Sequence, residues 1–396
     1  MSPALRSAAM SEHAPAGGPI AVYGATGYTG RLVASELARR GADFVLAGRS
    51  ADKLEALAAE LGAGARTAAV PLDDTAGLRE LLEQCAVVIA CAGPFGVHGE
   101  PVLAAAVDTG THYLDTTGEQ DFIADVFDRY GERAKRTGAA LVSGMGFDYV
   151  PGDMIAALTA AGMGPLDEIV VAYSVRGFGM TRGTMHSGLR IAAGGDVEYR
   201  EGAWRPSSGS VDRGTFQFPP PVGAQRMLRY PAGEQITVPR HVDVRTVSTM
   251  FSAATVLPSA RLAPAAPVLL PLTRLALRTP LRRAGDALIG RLPEGPSEDA
   301  RRASRFTIVC EAHAPGGRRR GTVTGGDVYG LTAFGIVDGA VLAAAPDYER
   351  RGALAPSQAF DPADFLSALG EFGVEHEVEP LPAAASAAAG ARTRPA

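Results

Sequence analysis

The sequence predicts an α/β fold: an N-terminal doubly wound parallel sheet followed by a second domain of mixed α+β structure. Over the first 160 residues, short apolar runs alternate regularly with helical segments. A glycine-rich turn, "GATGYTG", joins the first apolar run to the first of these helices. From about Leu166 the pattern changes to the apolar–polar alternation that is typical of half-exposed strands.

The first domain is predicted to contain six strands with helices between them. The predicted strands are 20–24, 43–49, 66–70, 86–93, 112–115 and 139–144. The predicted helices are 28–40, 51–61, 75–85, 99–109, 121–137 and one that begins near Pro151. Apolar strands joined by helical segments form right-handed βαβ units, which place the strands in one parallel sheet.

The remaining segments complete the domain organisation. Residues 1–17 lack the apolar region of a signal peptide, and residues 381–396 are low in complexity, so we expect a disordered lead-in and a disordered tail. Residues 166–330 form the second domain, and residues 331–380 add closing helices at 328–344 and 362–370. Within the second domain we expect strands at 167–177, 235–250 and 304–314, a long loop at 205–233 and a packed helical layer at 262–290.

Composition excludes several classes of protein. The net charge of −5 is spread over both signs, which argues against a nucleic-acid surface. Cys85, Cys91 and Cys310 are widely spaced, so we predict no metal site, no disulfide framework and a reduced, cytoplasmic protein. The longest uncharged run of 262–290 has 12 residues and three prolines, too short for a transmembrane segment.

The glycine turn has the spacing G-x-x-G-x-x-G, with glycines at 24, 27 and 30. In a βαβ unit, such glycines permit a tight turn, close approach of a pyrophosphate and close packing of helix on strand. The phosphate then lies on the amide groups at the helix N-terminus. The predicted phosphate-binding residues are Gly24, Ala25, Thr26, Gly27, Tyr28, Thr29 and Gly30.

The end of the second strand predicts which dinucleotide is bound. An acidic residue there would bind the ribose 2′-hydroxyl of NAD, but the strand ends in "LAGRS", with Arg49 and Ser50. Their donors suit a 2′-phosphate, so we predict NADPH as the cofactor; the alternative for Arg49 is a solvated charge before a helix. Asp73, after the third strand, is predicted to reach the adenine, with a plain turn role left open.

The loop after the fourth strand is the third predicted anchor of the cofactor. Its glycine and proline allow the backbone to pass close to a ligand at the carboxyl end of the sheet. The predicted contacts are Ala92, Gly93, Pro94 and Phe95.

Four segments together carry a resemblance to a known family: "GATGYTG", "AGRS", "AGPFGVHGEPVLAAAVDTGTHYLDTTGE" and "GMGFDYVPGD". The first 200 residues resemble the saccharopine dehydrogenase-like NADP-binding oxidoreductases, most closely the trans-acting enoyl reductases. The chain departs from that branch where Tyr149 and Gly152 replace two serines. The resemblance implies a Rossmann cofactor domain and hydride transfer between NADPH and a C=C or C=N bond.

The proton donor that such a reaction needs is predicted from the loops at the same sheet edge. No tyrosine has a lysine four residues later, which excludes the Tyr-x-x-x-Lys arrangement of short-chain reductases. Tyr149 is the first candidate because its hydroxyl stays protonated at neutral pH, and His98 is the second. A structural role is the alternative for both residues.

Other polar residues are predicted to lie around the same cleft. Glu119 is expected to line the nicotinamide pocket, with a charge that complements a helix dipole as the alternative. The predicted substrate residues are Asp148, Thr184 and His186, for which helix capping or packing is the alternative.

We therefore predict an NADPH-dependent reductase of an activated C=C bond in a small-molecule or carrier-bound polyketide or lipid intermediate. Residues 18–165 would bind NADP, and residues 166–330 would bind the substrate and offer a surface for a homodimer. The alternatives are a saccharopine-type imine or amino-acid dehydrogenase and a non-catalytic NADP-sensing protein.

Overall fold

The computed structural model describes residues 17–62, 65–193, 196–207, 211–257, 285 and 287–381. Apart from Gly17 and Leu381, the predicted disordered ends lie outside the described residues. Most of the predicted helical layer at 262–290 lies outside them too.

The strands and α-helices of the described residues are numbered here in chain order. The strands are β1 Ile20–Tyr23, β2 Phe44–Gly48, β3 Arg66–Ala69, β4 Val87–Ala90, β5 His112–Asp115, β6 Ala140–Val142, β7 Leu166–Arg176, β8 Val197–Arg200, β9 Ala203–Pro206, β10 Asp212–Gln217, β11 Ala224–Arg229, β12 Val244–Ser252, β13 Arg305–Ala314, β14 Gly317–Gly326, β15 Gly352–Leu354 and β16 Glu375–Leu381. The helices are α1 Tyr28–Arg39, α2 Ala51–Leu61, α3 Thr75–Leu82, α4 Phe95–His98, α5 Glu100–Thr109, α6 Gln120–Asp125, α7 Gly131–Thr137, α8 Val150–Ala160, α9 Arg182–Ala193, α10 Glu234–Thr237, α11 Ala253–Val256, α12 Glu298–Ala303, α13 Val328–Ala343, α14 Pro356–Ala359 and α15 Pro362–Ala368.

The first sheet is parallel throughout and has the order β15-β6-β5-β4-β1-β2-β3. Its central strands are apolar on both sides because helices cover both faces. Helices α1 and α13 pack on one face, and α3, α5 and α7 pack together on the other. The predicted doubly wound sheet is confirmed.

The C-terminal part of the chain returns to this first sheet, which the sequence did not predict. Strand β15 has three residues and pairs with β6, with Gly352 opposite Ala140. Helix α13, predicted as 328–344, is confirmed and packs against α1. A three-residue strand has too little periodicity to be recognised in a sequence.

The second sheet has nine strands and is mixed, as predicted. Its main path is β10-β11-β12-β7-β13-β14-β16, and the β8–β9 hairpin pairs with β12. Strands β12 and β7 are parallel, whereas the other pairs are antiparallel. Helix α8 leaves the first sheet and packs on β13 and β14, so it joins the two layers.

Two secondary-structure predictions in this region are wrong. The strand predicted at 235–250 begins only at Val244, because α10 and a 3₁₀ turn at Val238–Arg240 precede it. Pro239 cannot donate to a strand ladder. The loop predicted at 205–233 contains β10 and β11. These strands are mostly polar, so apolar alternation could not reveal them.

The helix predicted at 121–137 is interrupted by a π-helical turn at Val126–Tyr130. No helix in the described ranges is long and apolar enough to cross a membrane.

Candidate functional site

The strand order places the candidate site at one edge of the first sheet. Strands β2 and β3 follow β1 on one side, and β4, β5 and β6 continue on its other side. The order in which strands are added to the sheet therefore reverses between the neighbours β1 and β4. In open α/β sheets, ligands bind outside the carboxyl ends of the strands at this switch point. The loops after β1, β2, β4, β5 and β6 all lie at that edge, and they carry most of the predicted site residues.

The glycine turn has the close packing that the sequence predicted. Gly24 has φ +83°, and a Cβ there would lie 2.9 Å from the backbone nitrogen of Ala92. A Cβ on Gly30 would lie 2.3 Å from the carbonyl oxygen of Gly24. Gly24 therefore lets the turn lie against the loop after β4, and Gly30 lets α1 pack on the turn.

The N-terminus of α1 suits a phosphate group. Gly27 is the N-cap residue, and no side chain caps the helix. The first amides of a helix have no partner within the helix, so they are available to an anion at this position. A Cβ on Gly27 would meet only the Gly24 oxygen, at 3.4 Å, and Gly27 is exposed. The turn therefore fits the pyrophosphate of a dinucleotide.

The residues predicted to select NADPH lie together at the adenine end. Arg49 is exposed directly after β2, and it makes no ion pair within the described part of the chain. Ser50 is the N-cap residue of α2, but its side chain does not cap that helix. Burial raises the pKa of Tyr23; nearby Arg49 lowers it and nearby Asp73 raises it. Tyr23 thus lies near both Arg49 and Asp73, and the two predicted 2′-phosphate contacts, Arg49 and Ser50, lie between β2 and α2.

Glu119 has a role that the sequence did not reveal. Its buried carboxylate accepts hydrogen bonds from the backbone amides of Phe95, at 2.7 Å, and Gly96, at 3.1 Å. It also accepts one from the Ser187 hydroxyl, at 2.8 Å, and one from Arg190 Nε, at 2.7 Å. Glu119 therefore ties the cofactor loop after β4 to α9 of the second domain.

This arrangement also explains the glycine that follows Phe95. A Cβ on Gly96 would lie 2.2 Å from an Arg190 nitrogen. Any larger residue at position 96 would therefore clash with the Arg190 side chain where it binds Glu119. Arg190 additionally pairs with Asp121 at 3.1 Å. We call the contacts of Glu119 with Phe95, Gly96, Ser187 and Arg190 the Glu119 latch. Its signal in the sequence was weak because Ser187 and Arg190 are about 70 residues away along the chain.

Tyr149 is a buried wall residue of the cleft. Its side chain is 1% exposed, and its hydroxyl donates a hydrogen bond to the Gly118 carbonyl at 2.7 Å. Its ring fits between two glycines: a Cβ would lie 2.8 Å from the ring at Gly144 and 3.1 Å from it at Gly233. Burial raises the pKa of Tyr149 well above its ordinary value. The hydroxyl is therefore protonated, and its proton is bound to the Gly118 carbonyl.

Gly152, the second departure from the enoyl reductase pattern, lies in the same buried wall. A Cβ there would lie 2.1 Å from the Tyr173 hydroxyl and 2.2 Å from a Glu234 oxygen. Tyr173 donates a hydrogen bond to the Asp148 carbonyl oxygen at 2.8 Å and contacts the buried carboxyl of Glu234. Tyr149 and Gly152, which stand where the enoyl reductase pattern has serines, therefore both lie in a packed wall that includes Tyr173 and Glu234.

Asp148 lies at the end of the loop after β6, with its side chain partly exposed. Burial of the carboxyl raises its pKa to about 6. The backbone carbonyl of Asp148 accepts a hydrogen bond from the Tyr173 hydroxyl, and this bond fixes the backbone at position 148.

The predicted residues of α9 lie on the side of the cleft that faces the glycine turn. Thr184 and Thr181 both hydrogen-bond to the hydroxyl of Tyr329, at 3.0 Å each. The Tyr329 ring packs edge-on against Tyr28 of the glycine turn, with centroids 5.4 Å apart. Thr184 is thus brought to the cofactor turn through Tyr329. His186 is partly buried on the same helix.

His98 lies at the end of α4 and is exposed to solvent. The Tyr149 hydroxyl donates to the Gly118 carbonyl, and no hydrogen bond joins it to His98 among the described residues, so the two predicted proton donors do not form a pair.

Asp115, a further buried acid at this edge, is not among the predicted site residues. Asp115 ends β5 and accepts hydrogen bonds from the amides of Thr117 and Gly144, at 2.9 Å each, and from the Ser143 hydroxyl at 2.7 Å. It is fully buried, and burial raises its pKa to about 6. Asp115 joins the loops after β5 and β6 and so fixes the floor of the cleft.

A cavity of about 1380 Å³ lies elsewhere, between α1 and the second sheet. Its lining includes Leu32, Phe306, Thr322 and Glu377, but none of the predicted site residues. We place the ligand at the sheet edge because the cofactor turn and the carboxyl ends of the strands meet there.

Comparison with known proteins agrees with the predicted cofactor-binding domain. The fold and the glycine turn define a cofactor-binding domain of the oxidoreductase class. More narrowly, residues 20–142 match the model of the saccharopine dehydrogenase NADP-binding domain. The chain therefore carries an NADP-binding domain of that type, and the predicted resemblance and cofactor are confirmed.

Three relatives extend the comparison. A protein of Mycobacterium tuberculosis H37Rv, named as a candidate trans-acting enoyl reductase, is 36% identical over 230 residues, covering 55% of this chain and 54% of the relative. A trans-acting enoyl reductase of Mycobacterium bovis BCG is 32% identical over 219 residues, 52% of each chain. A saccharopine dehydrogenase-like oxidoreductase of Bos taurus is 33% identical over 152 residues, 34% of this chain and 35% of the relative. The chain spans about half the length of the mycobacterial relatives it matches.

A solved structure supports the fold over a longer span. Apo saccharopine dehydrogenase (L-Glu forming) from Saccharomyces cerevisiae matches with a TM-score of 0.58 and 13% identity, over 92% of this chain and all of the yeast chain. At this identity the match supports the fold, and it covers both sheets.

Proposed function

We propose that the protein is an NADPH-dependent reductase that transfers hydride to an activated C=C bond. The observation that carries the proposal is the pairing of an uncapped glycine turn with an exposed guanidinium, Arg49, at the switch point of the sheet. The choice of a C=C bond rests on relatives named trans-acting enoyl reductases.

When bound, NADPH supplies the hydride, and the protein supplies position and charge. The glycine turn and Arg49 would hold the phosphates, whereas the Glu119 latch would hold the loop of Ala92–Phe95 against the nicotinamide half. Thr184 and His186 of α9 would face the substrate across the cleft. Tyr149 and His98 are the proton donors proposed from the sequence.

The geometry favours this proposal over an amino-acid dehydrogenase. Such an enzyme needs a cationic clamp for the substrate carboxylates. Arg190 is committed to Glu119 and Asp121, and Arg182 pairs with Glu294 at 2.8 Å. Arg176 lines the separate cavity between α1 and the second sheet. These arginines of the second domain are therefore occupied or lie away from the cleft.

The substrate, assembly and location are proposed more broadly. The proposed substrate is a polyketide or lipid intermediate, free or on a carrier, and the second domain is the proposed surface for a homodimer. The cytoplasm is the proposed location, since Cys85, Cys91 and Cys310 are free thiols.

The test follows NADPH absorbance at 340 nm with three probes. They are trans-2-octenoyl N-acetylcysteamine thioester, 2-cyclohexenone and the cyclic imine 2-methyl-1-pyrroline. Oxidation of NADPH with the thioester or the enone, and none with the imine, is expected. Turnover of the imine alone would favour the saccharopine-type alternative, and tight NADPH binding without turnover of any probe would favour the sensing protein.

A further inference from the structure

Asp148 differs from the other acids at the carboxyl edge because its side chain is left without a protein partner. Among the described residues, no other residue donates a hydrogen bond to its carboxyl group. A Cβ on Gly118 would lie 3.1 Å from one carboxyl oxygen, and a Cβ on Gly146 would lie 2.8 Å from the other. These two glycines belong to the loops after β5 and β6, so the carboxyl lies over the half of the sheet that receives the nicotinamide.

The neighbouring polar groups are already engaged. Asp115 is buried under three hydrogen bonds, and Glu119 is buried under four. The hydroxyl of Tyr149 donates to the Gly118 carbonyl. Each of these groups holds a loop in place, whereas Asp148, a partly exposed residue, is held through its backbone carbonyl, which accepts a hydrogen bond from Tyr173.

We propose that Asp148 is the catalytic acid that delivers a proton to the substrate carbon next to the one that accepts the hydride. The proposal rests on the reductase function proposed above. It assigns the proton to a different group from the two that the sequence favoured, since Tyr149 is a buried wall residue and His98 is exposed on α4.

The step balances with NADPH as the reductant. The β-carbon of the C=C bond receives the hydride, and the electron pair of that bond moves to the α-carbon. The protonated Asp148 breaks its O–H bond and transfers the proton to the α-carbon, which completes the saturated product. The resulting carboxylate takes a new proton from solvent, to which the partly exposed side chain has access.

The surroundings of the carboxyl suit this task. A general acid works best when its pKa lies near the working pH. Burial raises the pKa of Asp148 to about 6, against about 3.9 for an ordinary aspartate. The titratable groups that face it are Tyr149, Tyr173, Tyr230, Glu234 and Tyr329. Burial raises the pKa of each of these groups, so near pH 7 the four tyrosine hydroxyls are protonated and uncharged, and the Glu234 carboxyl is shifted toward its neutral form.

The first test compares three variants in single-turnover oxidation of NADPH by the octenoyl thioester. Asp148→Asn is expected to slow the reaction about 100-fold or more, with the NADPH Kd within about twofold of wild type. Tyr149→Phe, which removes only the hydrogen bond to Gly118, is expected to stay within about threefold. Asp364→Asn, an exposed aspartate on α15, is the matched control and should be unchanged.

The second test does not depend on turnover. In protein labelled with ¹³C at the aspartate carboxyls, the resonance that Asp148→Asn removes should titrate near pH 6. A value near 4 would overturn the proposal whatever the substrate proves to be. The proposal would also be overturned if Asp148→Asn reacted at the wild-type rate while Tyr149→Phe was slowed 100-fold.

The two proposals fail in different ways. If the wild-type protein reduces the imine and not the thioester, the proposed function is wrong. Asp148 is then judged by the same variants on the imine, whose nitrogen also needs a proton. An imine rate that Asp148→Asn leaves unchanged would remove Asp148 as the acid.

Discussion

Replacing Glu119 by glutamine should both destabilise the protein and weaken NADPH binding. The substitution keeps the shape of the side chain but turns one acceptor oxygen into an NH₂ group. Phe95 N and Ser187 donate to one oxygen of Glu119, and Gly96 N and Arg190 Nε donate to the other. In either orientation of the glutamine amide, its NH₂ group faces two of these four donors. Those two donors then lose their hydrogen bonds.

The magnitude follows from the kind of bonds that are lost. Hydrogen bonds to a charged group contribute about 1.5–3 kcal/mol each. Breaking a buried ion pair costs about 3–5 kcal/mol, but Arg190 is partly exposed and keeps Asp121, so the loss should lie near or below the low end of that range. We expect about 3 kcal/mol, which corresponds to a fall in Tm of about 4 °C for a chain of 396 residues.

Thermal unfolding with and without NADPH, together with NADPH binding by fluorescence, measures both effects. The Kd should rise about tenfold, because the loop at Ala92–Phe95 loses its anchor to α9. Glu132→Gln is the matched control, since that glutamate of α7 is exposed and pairs with Lys135 on the surface. A Glu119→Gln protein whose Tm and Kd both match those of Glu132→Gln would refute the latch.

Three further predictions follow from the same geometry. Arg49→Asp should weaken NADPH binding at least tenfold and leave NADH binding within about threefold, because the 2′-phosphate is the only part of the ligand that differs; equal losses for both cofactors in titration would contradict the assignment. Gly30→Ala should lower the free energy of unfolding by about 1–3 kcal/mol and abolish NADPH binding, since the new methyl group would lie 2.3 Å from the Gly24 oxygen. In the control Gly370→Ala, the new methyl group would have no atom within 4 Å, so denaturant unfolding should match that of wild type. Burial alone would raise the pKa of Glu311, but His313, Arg320 and Arg318 lower it to about 2. Its stabilising contribution is therefore complete above about pH 4.3 and is lost as the pH falls toward 2, so Glu311→Gln should flatten acid unfolding in that range; an unchanged acid profile by circular dichroism would contradict this.

The first sheet could be predicted from the sequence because its signals are local. Strands such as β1 and β4 are apolar on both faces, and glycines or polar turns mark where they end. The second sheet was predicted only in part. Its outer strands β10 and β11 carry arginines and bury few side chains, and β15 is too short to show a period.

The close packing of the glycine turn was likewise predictable from the sequence, whereas the contacts of Glu119 were not. The spacing of Gly24, Gly27 and Gly30 and the position of Arg49 depend on adjacent residues. The partners of Glu119 depend on how α9 of the second domain packs, and no local pattern encodes that contact. Asp148 was predicted as a substrate residue, but only the packing of Tyr149 and Tyr173 shows which side chain has no hydrogen bond from another described residue.

Deuterium transfer tests the central claim most directly. NADPH deuterated at both C4 positions is incubated with the octenoyl thioester and the wild-type protein, and the product is analysed by mass spectrometry. Hydride transfer to the C=C bond predicts one deuterium at the β-carbon of the saturated thioester, with NADP⁺ formed in equal amount. A product without deuterium, or NADPH bound with no saturated thioester formed, would contradict the account.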